Sequence, residues 1–485
     1  MTSDVLDDGN AGGKAIRGGT AVAASYLGGL LISLASVPFM IRELGEVQYG
    51  YFVTASAFVL IIGGVTEGGL TNLGIREFAV RPPEERERFM QNLVGLRLVL
   101  TTVGVLAAVG VAAATGAEPL VVQGTMITGL ALLILMTQQT YMVPLNAQLR
   151  LGVVAALGVF RQTVLSVIVI ALAVSGAGLI PFFWANVVMG VLLVAVTVAL
   201  VRGAAPLRPA FDRVAWGAIL RDTLPYAVAT AVGLVYFRIG VILMSYVSTD
   251  LETGYFGAAF RVIEVLGALP WLLVSAAFPI LARAATTDDA RFDVGLQKVF
   301  EVATLLGAVL ALGLGIGAPF AIDVLAGDAF EPSIDVLRIQ AVGLVTAFLM
   351  VTWTFALLSL RLFRQLLIAN AIAATVAIVG TLTLAPGMGA EGAALATVLA
   401  EAALAVACLV LLRRARPGLR LEYGVVVKAA AATVPGIVLA IVVDAHPVPL
   451  AALAGLLFLV VAVVLRAIPP EVPAALRQLR AGSRP

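Results

Sequence analysis

Long apolar runs separated by short polar segments dominate the chain. A run of about 20 apolar residues is long enough for a helix to cross a bilayer. Backbone groups in lipid must bond within their own segment or in a closed barrel, and runs of this length fit helices and not strands. The pattern predicts an all-α polytopic membrane protein with about 14 transmembrane helices. The runs cover residues 19–41, 51–72, 93–115, 121–143, 151–174, 178–201, 223–247, 254–282, 299–326, 336–359, 365–385, 391–412, 425–443 and 448–466.

Composition supports a membrane protein and excludes several kinds of site. Of the 485 residues, 61% are hydrophobic and 12% are charged, against about 25% charged in soluble proteins. Cys408 and His446 are the only residues of their types, so we expect no disulfide, no metal and no bound cofactor. A net charge of +2 does not favour a nucleic-acid partner.

Basic residues are distributed unevenly between alternate loops. With the N-terminus inside, the predicted cytoplasmic segments hold 25 of the 31 Lys and Arg residues, whereas the predicted outer segments hold only Arg42 and Arg338. Since basic residues accumulate on the cytoplasmic side, both termini are predicted to be cytoplasmic in a multi-pass protein of the plasma membrane. The segments between helices are too short for an ATPase domain, so transport would need an H⁺ or Na⁺ gradient or another external source.

Two short sequence matches indicate an internal repeat. Gly50-Tyr51-Phe52 recurs as Gly254-Tyr255-Phe256, at an offset of 204, and the turn at 176–186 aligns with 387–397, at an offset of 211. The matches predict two six-helix lobes related by a pseudo-two-fold axis along the membrane normal, plus a C-terminal helix pair. The predicted parts are a cytoplasmic tail (1–18), an N-lobe (19–202), a cytoplasmic linker (203–222), a C-lobe (223–412), the helix pair (425–466) and a cytoplasmic tail (467–485).

The segment PGMGAEGAALAT at 386–397 contains G-x-G-x-x-G. That spacing binds dinucleotides only between a buried strand and a helix. Here it lies between two predicted membrane helices, so we interpret it as a glycine hinge.

The N-terminal segment resembles a known family of transporters. LGGLLISLASVPFMIRELGEVQYGYFVTASAFVLIIGGVTEGGLTNLGIREFAV, together with the later GMGAEGAALAT, resembles the polysaccharide exporter (oligosaccharide flippase) branch of the multidrug/oligosaccharidyl-lipid/polysaccharide exporter superfamily. The resemblance implies two six-helix lobes around a central cavity. It also implies that polyprenyl-diphosphate-linked oligosaccharides are flipped across the plasma membrane by alternating access.

Two arginines lie deep within predicted helices. Arg161 is about ten residues into the fifth run and Arg238 lies past the middle of the seventh. A charge at a helix centre costs about 2.5–3.5 kcal/mol on insertion scales. A guanidinium forks onto phosphate oxygens, so we hypothesise that both residues bind the diphosphate. The alternative is a structural ion pair with a glutamate of another helix.

Two further pairs of charges have structural and functional interpretations. Arg261 and Glu264 are three residues apart, so they can pair with each other, or bind substrate and couple transport. Arg97 and Glu301 occupy equivalent positions in the two halves. Arg97 is also a candidate for substrate binding. An inter-lobe pair between Arg97 and Glu301 would act as a gate, whereas snorkelling would satisfy Arg97 without one.

Two acidic residues are candidates for coupling to H⁺ or Na⁺. Glu67 lies in GGVTEGG, where small neighbours permit close helix approach, and Glu401 lies in the twelfth run. Residues 137–140 form an uncharged polar patch, TQQT, that could bond sugars, although bonding between helices is the simpler interpretation.

The flippase hypothesis is weighed against other functions. A multidrug exporter with cation coupling would favour an acidic site, and a lipid II flippase would favour arginines in the first helix. The first run here carries no charge in its apolar part. A membrane enzyme such as a polymerase would need a large outer loop, so we expect no enzyme; a scaffold would tolerate loss of Arg161 and Arg238. The expected partners of a flippase are lipid-linked oligosaccharide, membrane lipids, glycosyltransferases and a polysaccharide polymerase.

Overall fold

The computed structural model describes residues 11–201 and 208–469. In these two ranges the chain forms fifteen α-helices and one short 3-10 helix. The helices are α1 (Ala11–Glu67), α2 (Leu70–Val80), α3 (Pro83–Ala114), α4 (Pro119–Tyr141), α5 (Val143–Ala147), α6 (Leu151–Val174), α7 (Leu179–Leu200), α8 (Arg213–Val247), α9 (Asp250–Leu266), α10 (Ala268–Thr287), α11 (Asp289–Ala326), α12 (Ser333–Ser359), α13 (Phe363–Ala415), α14 (Gly424–Val442) and α15 (Pro447–Val464).

The helical membrane fold is confirmed. Within the described chain, 11 helices are long and apolar enough to cross a membrane, and every predicted apolar run lies on helical chain apart from short breaks and run ends. The exact number of crossings and the symmetry of the lobes stay predictions. Of the predicted tails and linker, residues 1–10, 202–207 and 470–485 lie outside the described residues.

Two of the longest helices each contain two predicted runs, separated by a glycine. Gly45 in α1 has φ 64° and ψ −178°, and Gly389 in α13 has φ 56° and ψ −134°. A Cβ built on Gly380 would lie 3.0 Å from the Cβ of Ala396. In a straight helix 16 residues span about 24 Å, so α13 folds back on itself at Gly389. The glycine hinge predicted in this segment is therefore confirmed.

The hinge of α13 is held by an acidic side chain from α9. The backbone N–H of Ala390 donates to Oε2 of Glu252 at 2.7 Å. This bond satisfies one of the amides that a helix leaves unpaired at its start. The carboxylate also lies beside Gly389, where a Cβ would collide with it.

We expect Gly389→Ala to destabilise the protein by about 1–2 kcal/mol or more, because a left-handed backbone is strained for a residue with a Cβ and the added methyl group would displace Glu252. Gly387→Ala is the matched control, since nothing lies within 4 Å of a Cβ at that glycine and it lacks a positive φ. Thermal unfolding of both variants in detergent measures the difference. Equal midpoints would show that the hinge tolerates a side chain.

Contacts divide the chain into two compact units. The first ends at Tyr246 and the second begins at Val247. The helix α8 therefore belongs to the first unit, whereas the sequence places residues from 223 onward in the second lobe. Glycines explain this assignment: a Cβ on Gly68 would lie 2.8 Å from the Cβ of Ala227, and one on Gly64 would collide with Leu234. The small residues let α8 approach the second half of α1 closely.

The predicted linker at 203–222 is also partly helical. The side chain of Asp212 accepts from the N–H groups of Val214 at 2.9 Å and Ala215 at 3.3 Å. Aspartate is a favoured N-cap residue, and it starts α8 at Arg213, inside the expected linker. The helix thus begins about ten residues earlier than hydropathy indicates, because the cap residue and not the apolar pattern sets its start.

The first unit is built around contacts of α1 with α6 and of α4 with α3 and α7. One buried apolar cluster joins α2, α3 and α5. It contains Leu70, Leu73, Met90, Leu93 and Val143. The cluster fixes the start of α2 against α3, directly beside the charged groups described below.

The second unit centres on α11, α12 and α13, with α14 and α15 packed on α11. Ring contacts support this core: Phe300 of α11 lies 5.1 Å from Trp353 of α12 between centroids. At one end Arg416 pairs with Asp289 at 2.7 Å and Asp293 at 3.4 Å. These contacts fix the end of α13 against the start of α11.

Candidate functional site

Among the described residues of the first unit, the most buried charged side chain is that of Arg97 in α3, which is 1% exposed. Its guanidinium donates to the hydroxyl oxygens of Thr71 at 2.8 Å and Thr140 at 3.2 Å. It also pairs with Oε1 of Glu67 at 3.4 Å. Its Nε has no acceptor among the described residues. Arg97 therefore joins α1, α2, α3 and α4 at one point, and we call these four residues the Arg97 cluster.

Glu67 bridges the break between α1 and α2. Its two carboxylate oxygens accept from the N–H groups of Gly69 at 2.9 Å and Thr71 at 3.2 Å. Gly68 and Gly69 between the helices both have positive φ, 42° and 82°. Because a helix start carries partial positive charge, the carboxylate is stabilised by both the amides of α2 and the guanidinium of Arg97. Glycines at 68 and 69 allow the chain to bend there.

The Arg97 cluster differs from the sequence-based interpretations of its members. Arg97 is buried and does not snorkel, and its described acidic partner is Glu67 of the same unit. Glu301 in α11 accepts instead from Nε2 of Gln297 at 2.7 Å. Thr71 was missed, because its contact with Arg97 depends on the bend at Gly68 and Gly69 between α1 and α2, which the apolar pattern does not show.

Arg161 is the eleventh of the 24 residues of α6, about 15 Å from the helix start at 1.5 Å per residue. The next residue, Gln162, packs on Gly29 of α1, and Ser166 accepts from the hydroxyl of Ser36 at 3.0 Å. Arg161 itself is half-buried and forms no ion pair or hydrogen bond with the described part of the chain. A permanent cation at this depth lacks a carboxylate partner there.

Arg238 lies in the second half of α8 and is also half-buried. Its guanidinium carbon is 5.2 Å from the ring centroid of the neighbouring Phe237. A ring at this distance attracts a cation weakly. Both arginines proposed for the diphosphate therefore lie on helices of the first unit: α6 is long and apolar enough to cross a membrane, and Arg238 lies in the shorter apolar part of α8, Ala231–Val247.

Arg261 and Glu264 form the pair that their spacing predicts. Nη1 of Arg261 donates to Oε2 of Glu264 at 3.0 Å on α9, in the second unit. The side chains are 34% and 16% exposed, respectively. The pairing favours a structural role for both residues, and a role in substrate binding or coupling stays a prediction.

Glu401 is the most buried of the candidate acids, at 6% exposure. Its Oε2 accepts from the hydroxyl of Thr346 of α12 at 3.2 Å. Gly343 provides the space for it, since a Cβ there would lie 2.9 Å from the same oxygen. Glu401 is thus a buried carboxyl group whose described side-chain donor is one neutral hydroxyl.

Two residues of the polar patch at 137–140 form hydrogen bonds to other helices, whereas Thr137 bonds within α4. Nε2 of Gln138 donates to the hydroxyl of Thr197 in α7 at 3.0 Å, and Thr140 belongs to the Arg97 cluster. Across the described residues, no three His, Cys, Asp or Glu side chains are placed to hold a metal ion.

A sequence model described as "Polysaccharide biosynthesis protein" matches residues 15–285, more than half of the chain. The protein belongs to the polysaccharide biosynthesis family. The match covers α1 to α9 and most of α10, and so includes the Arg97 cluster, Arg161 and Arg238.

Solved structures resemble this family member in fold. Lipid II flippase MurJ, in an inward closed conformation, aligns with a TM-score of 0.76 at 13% identity, covering 92% of this chain and 98% of MurJ. An inward-facing multidrug resistance MATE family transporter of the MOP superfamily aligns with a TM-score of 0.61 at 14% identity over 80% and 95% of the two chains. These likenesses concern the fold alone.

A third structure is a MOP superfamily transporter from Pyrococcus furiosus, described as having a binding pocket of reversed polarity. It aligns with a TM-score of 0.56 at 13% identity and covers 84% of this chain and 96% of the other. Comparison with curated protein sequences gives no match. Family and fold together place this polysaccharide biosynthesis protein in the MOP exporter superfamily, as the sequence resemblance implies.

Proposed function

We propose that this protein flips a polyprenyl-diphosphate-linked oligosaccharide across the plasma membrane by alternating access. The observation that carries the proposal is Arg161, a half-buried cation near the middle of α6 without a described carboxylate partner. The two phosphates of such a lipid are anionic and must pass the apolar layer. A fixed guanidinium in that layer stabilises them through charge-assisted hydrogen bonds.

Arg238 supplies a second cation for the same headgroup under this proposal. Membership of the polysaccharide biosynthesis family supports an oligosaccharide-linked lipid as the substrate class. The glycosyltransferases that build the oligosaccharide and the polymerase that consumes it are the proposed partners, and both termini are proposed to face the cytoplasm. The protein itself is proposed to carry out no covalent chemistry.

Coupling to H⁺ or Na⁺ movement forms part of the proposal. Glu67 is already engaged by Arg97 and two backbone amides. Glu401 has Thr346 as its described side-chain donor. Of the two acids, Glu401 is therefore the better candidate for the coupling proton.

Two related functions, lipid II flipping and drug export, are tested beside oligosaccharide flipping. Lipid II flipping is favoured by the fold match to MurJ, and drug export by the match to MATE transporters. The experiment reconstitutes the full chain in liposomes and follows three compounds: a polyprenyl-diphosphate oligosaccharide, lipid II, and a fluorescent organic cation. We expect the oligosaccharide lipid to appear in the opposite leaflet. Movement of the organic cation alone, by well-folded protein, would overturn the proposal in favour of drug export.

A further inference from the structure

A cavity of about 530 Å³ lies in the second unit, whereas Arg161 and Arg238 belong to the first. It is lined by the later part of α11, the start of α12 and the connection between α14 and α15. Its lining includes Pro319, Arg338, Val442, Asp444 and Leu450. Loop charges predict that this end of the unit faces the outside, and the size is that of small-ligand sites.

The cavity has one cationic wall. Arg338 of α12 is one of only two basic residues in the predicted outer segments. Its Nη1 donates to Asp335 at 2.8 Å, in a pair whose side chains are both more than half exposed. Such exposed pairs contribute little free energy, and the remaining guanidinium N–H groups can fork onto a phosphate.

The opposite wall consists of acceptors. The last backbone bond of α14 runs from the N–H of Val443 to the carbonyl of Leu439 at 3.0 Å. The carbonyls of Ala440, Ile441 and Val442 follow it and belong to the helix end, where intrahelical donors run out. Asp444 adds a carboxylate to the same lining. Carbonyls at a helix C-terminus and a carboxylate together favour a cation that donates hydrogen bonds.

The rim of the cavity is apolar and exposed. Ile441 is 78% exposed and Val442 is 73% exposed, at the end of a helix that is long and apolar enough to cross a membrane. We expect apolar side chains in this position to face acyl chains. An occupant that enters from the bilayer would therefore place its polar part in the cavity and its chains against α14.

We propose that this cavity binds the headgroup of an outer-leaflet phospholipid that carries a primary ammonium group, as in phosphatidylethanolamine. Its phosphate pairs with Arg338, and its ammonium group donates to Asp444 and to the carbonyls that end α14. A trimethylammonium group has no N–H to donate, and a purely anionic headgroup would meet Asp444 unfavourably. The site is independent of the proposed transport function.

The test measures lipid retention by native mass spectrometry on the delipidated full chain. Phosphatidylethanolamine, phosphatidylcholine and phosphatidylglycerol with identical acyl chains are titrated separately. We expect phosphatidylethanolamine to bind at least about fivefold more tightly than phosphatidylcholine, which corresponds to roughly 1 kcal/mol. Asp444→Asn should abolish this preference, and Arg338→Ala should weaken binding of all three lipids.

Matched controls are Arg42→Ala, the other basic residue predicted on the outside, and Asp328→Asn, an exposed acid outside the cavity lining. Both should bind lipid as wild type does. Equal retention of phosphatidylethanolamine and phosphatidylcholine by wild type would overturn the proposal. So would an unchanged preference in Asp444→Asn, provided that the variant unfolds at the wild-type temperature.

Discussion

Arg161→Ala is expected to lower translocation of a polyprenyl-diphosphate oligosaccharide by about 10- to 100-fold. Hydrogen bonds to charged groups contribute about 1.5–3 kcal/mol each, and every 1.4 kcal/mol is about tenfold. Arg161→Lys keeps the charge but loses the planar fork, so an intermediate rate is expected. The measurement is the initial rate of appearance of the lipid in the opposite leaflet of liposomes.

Thr163→Ala is the matched control for Arg161→Ala, because Thr163 lies two residues along the same helix and is exposed. It should transport at the wild-type rate. Arg238→Ala should show a loss similar to that of Arg161→Ala if both residues hold one diphosphate. Full transport by Arg161→Ala at normal expression would show that Arg161 does not bind the diphosphate. The proposed function would then depend only on whether the wild-type protein transports the oligosaccharide lipid.

The second large effect concerns stability and is expected for Glu67→Gln. This change keeps the size of the side chain but removes the carboxylate that compensates Arg97. A buried charge that loses its partner costs about 3–5 kcal/mol, and Arg97 is 1% exposed. We therefore expect a marked fall in the free energy of unfolding, measured by denaturation in mixed micelles.

A double-variant cycle isolates the pair. In an Arg97→Met background no guanidinium remains beside Glu67, so Glu67→Gln should cost far less than it does in wild type. Glu85→Gln is the control, because Glu85 pairs with Arg81 at 3.3 Å while 60% exposed, and such pairs contribute about 0–1 kcal/mol. Equal losses for Glu67→Gln in both backgrounds would mean that Glu67 acts only as the cap of α2.

Apolar run length was sufficient to predict the membrane helices, because the bilayer sets a minimum length for each crossing. It did not predict where helices start or break. The cap at Asp212 and the bend at Gly68 and Gly69 depend on single side chains and on backbone angles, which change mean hydropathy little. The segment that contains Gly389 was predicted as a hinge because it lies between two predicted membrane helices.

The sequence was sufficient to predict which residues are candidates for the site, but not which of them contact each other. Charge within an apolar run identified Arg97, Glu67, Arg161 and Glu401 as candidates. Their partners could not be deduced, because helices that are apolar on all sides lack a polar face that indicates which neighbour each side packs against. The Glu67–Arg97 pair brings together positions 30 residues apart, and no short-range spacing rule reaches that far.

The packing of α8 on α1 has a consequence for synthesis at the ribosome. Side chains of α8 pack on Gly64 and Gly68. Two hydrogen bonds also join the start of α8 to Asn92 of α3: the backbone N–H of Asp212 donates to Oδ1 of Asn92 and the indole N–H of Trp216 donates to the Asn92 carbonyl, both at 3.1 Å. A nascent chain released from the translocon at residue 222 would leave that face of α1 uncovered. The first unit can therefore complete its packing only after translation has passed Tyr246, so an arrest before that point is expected to yield a protease-sensitive intermediate.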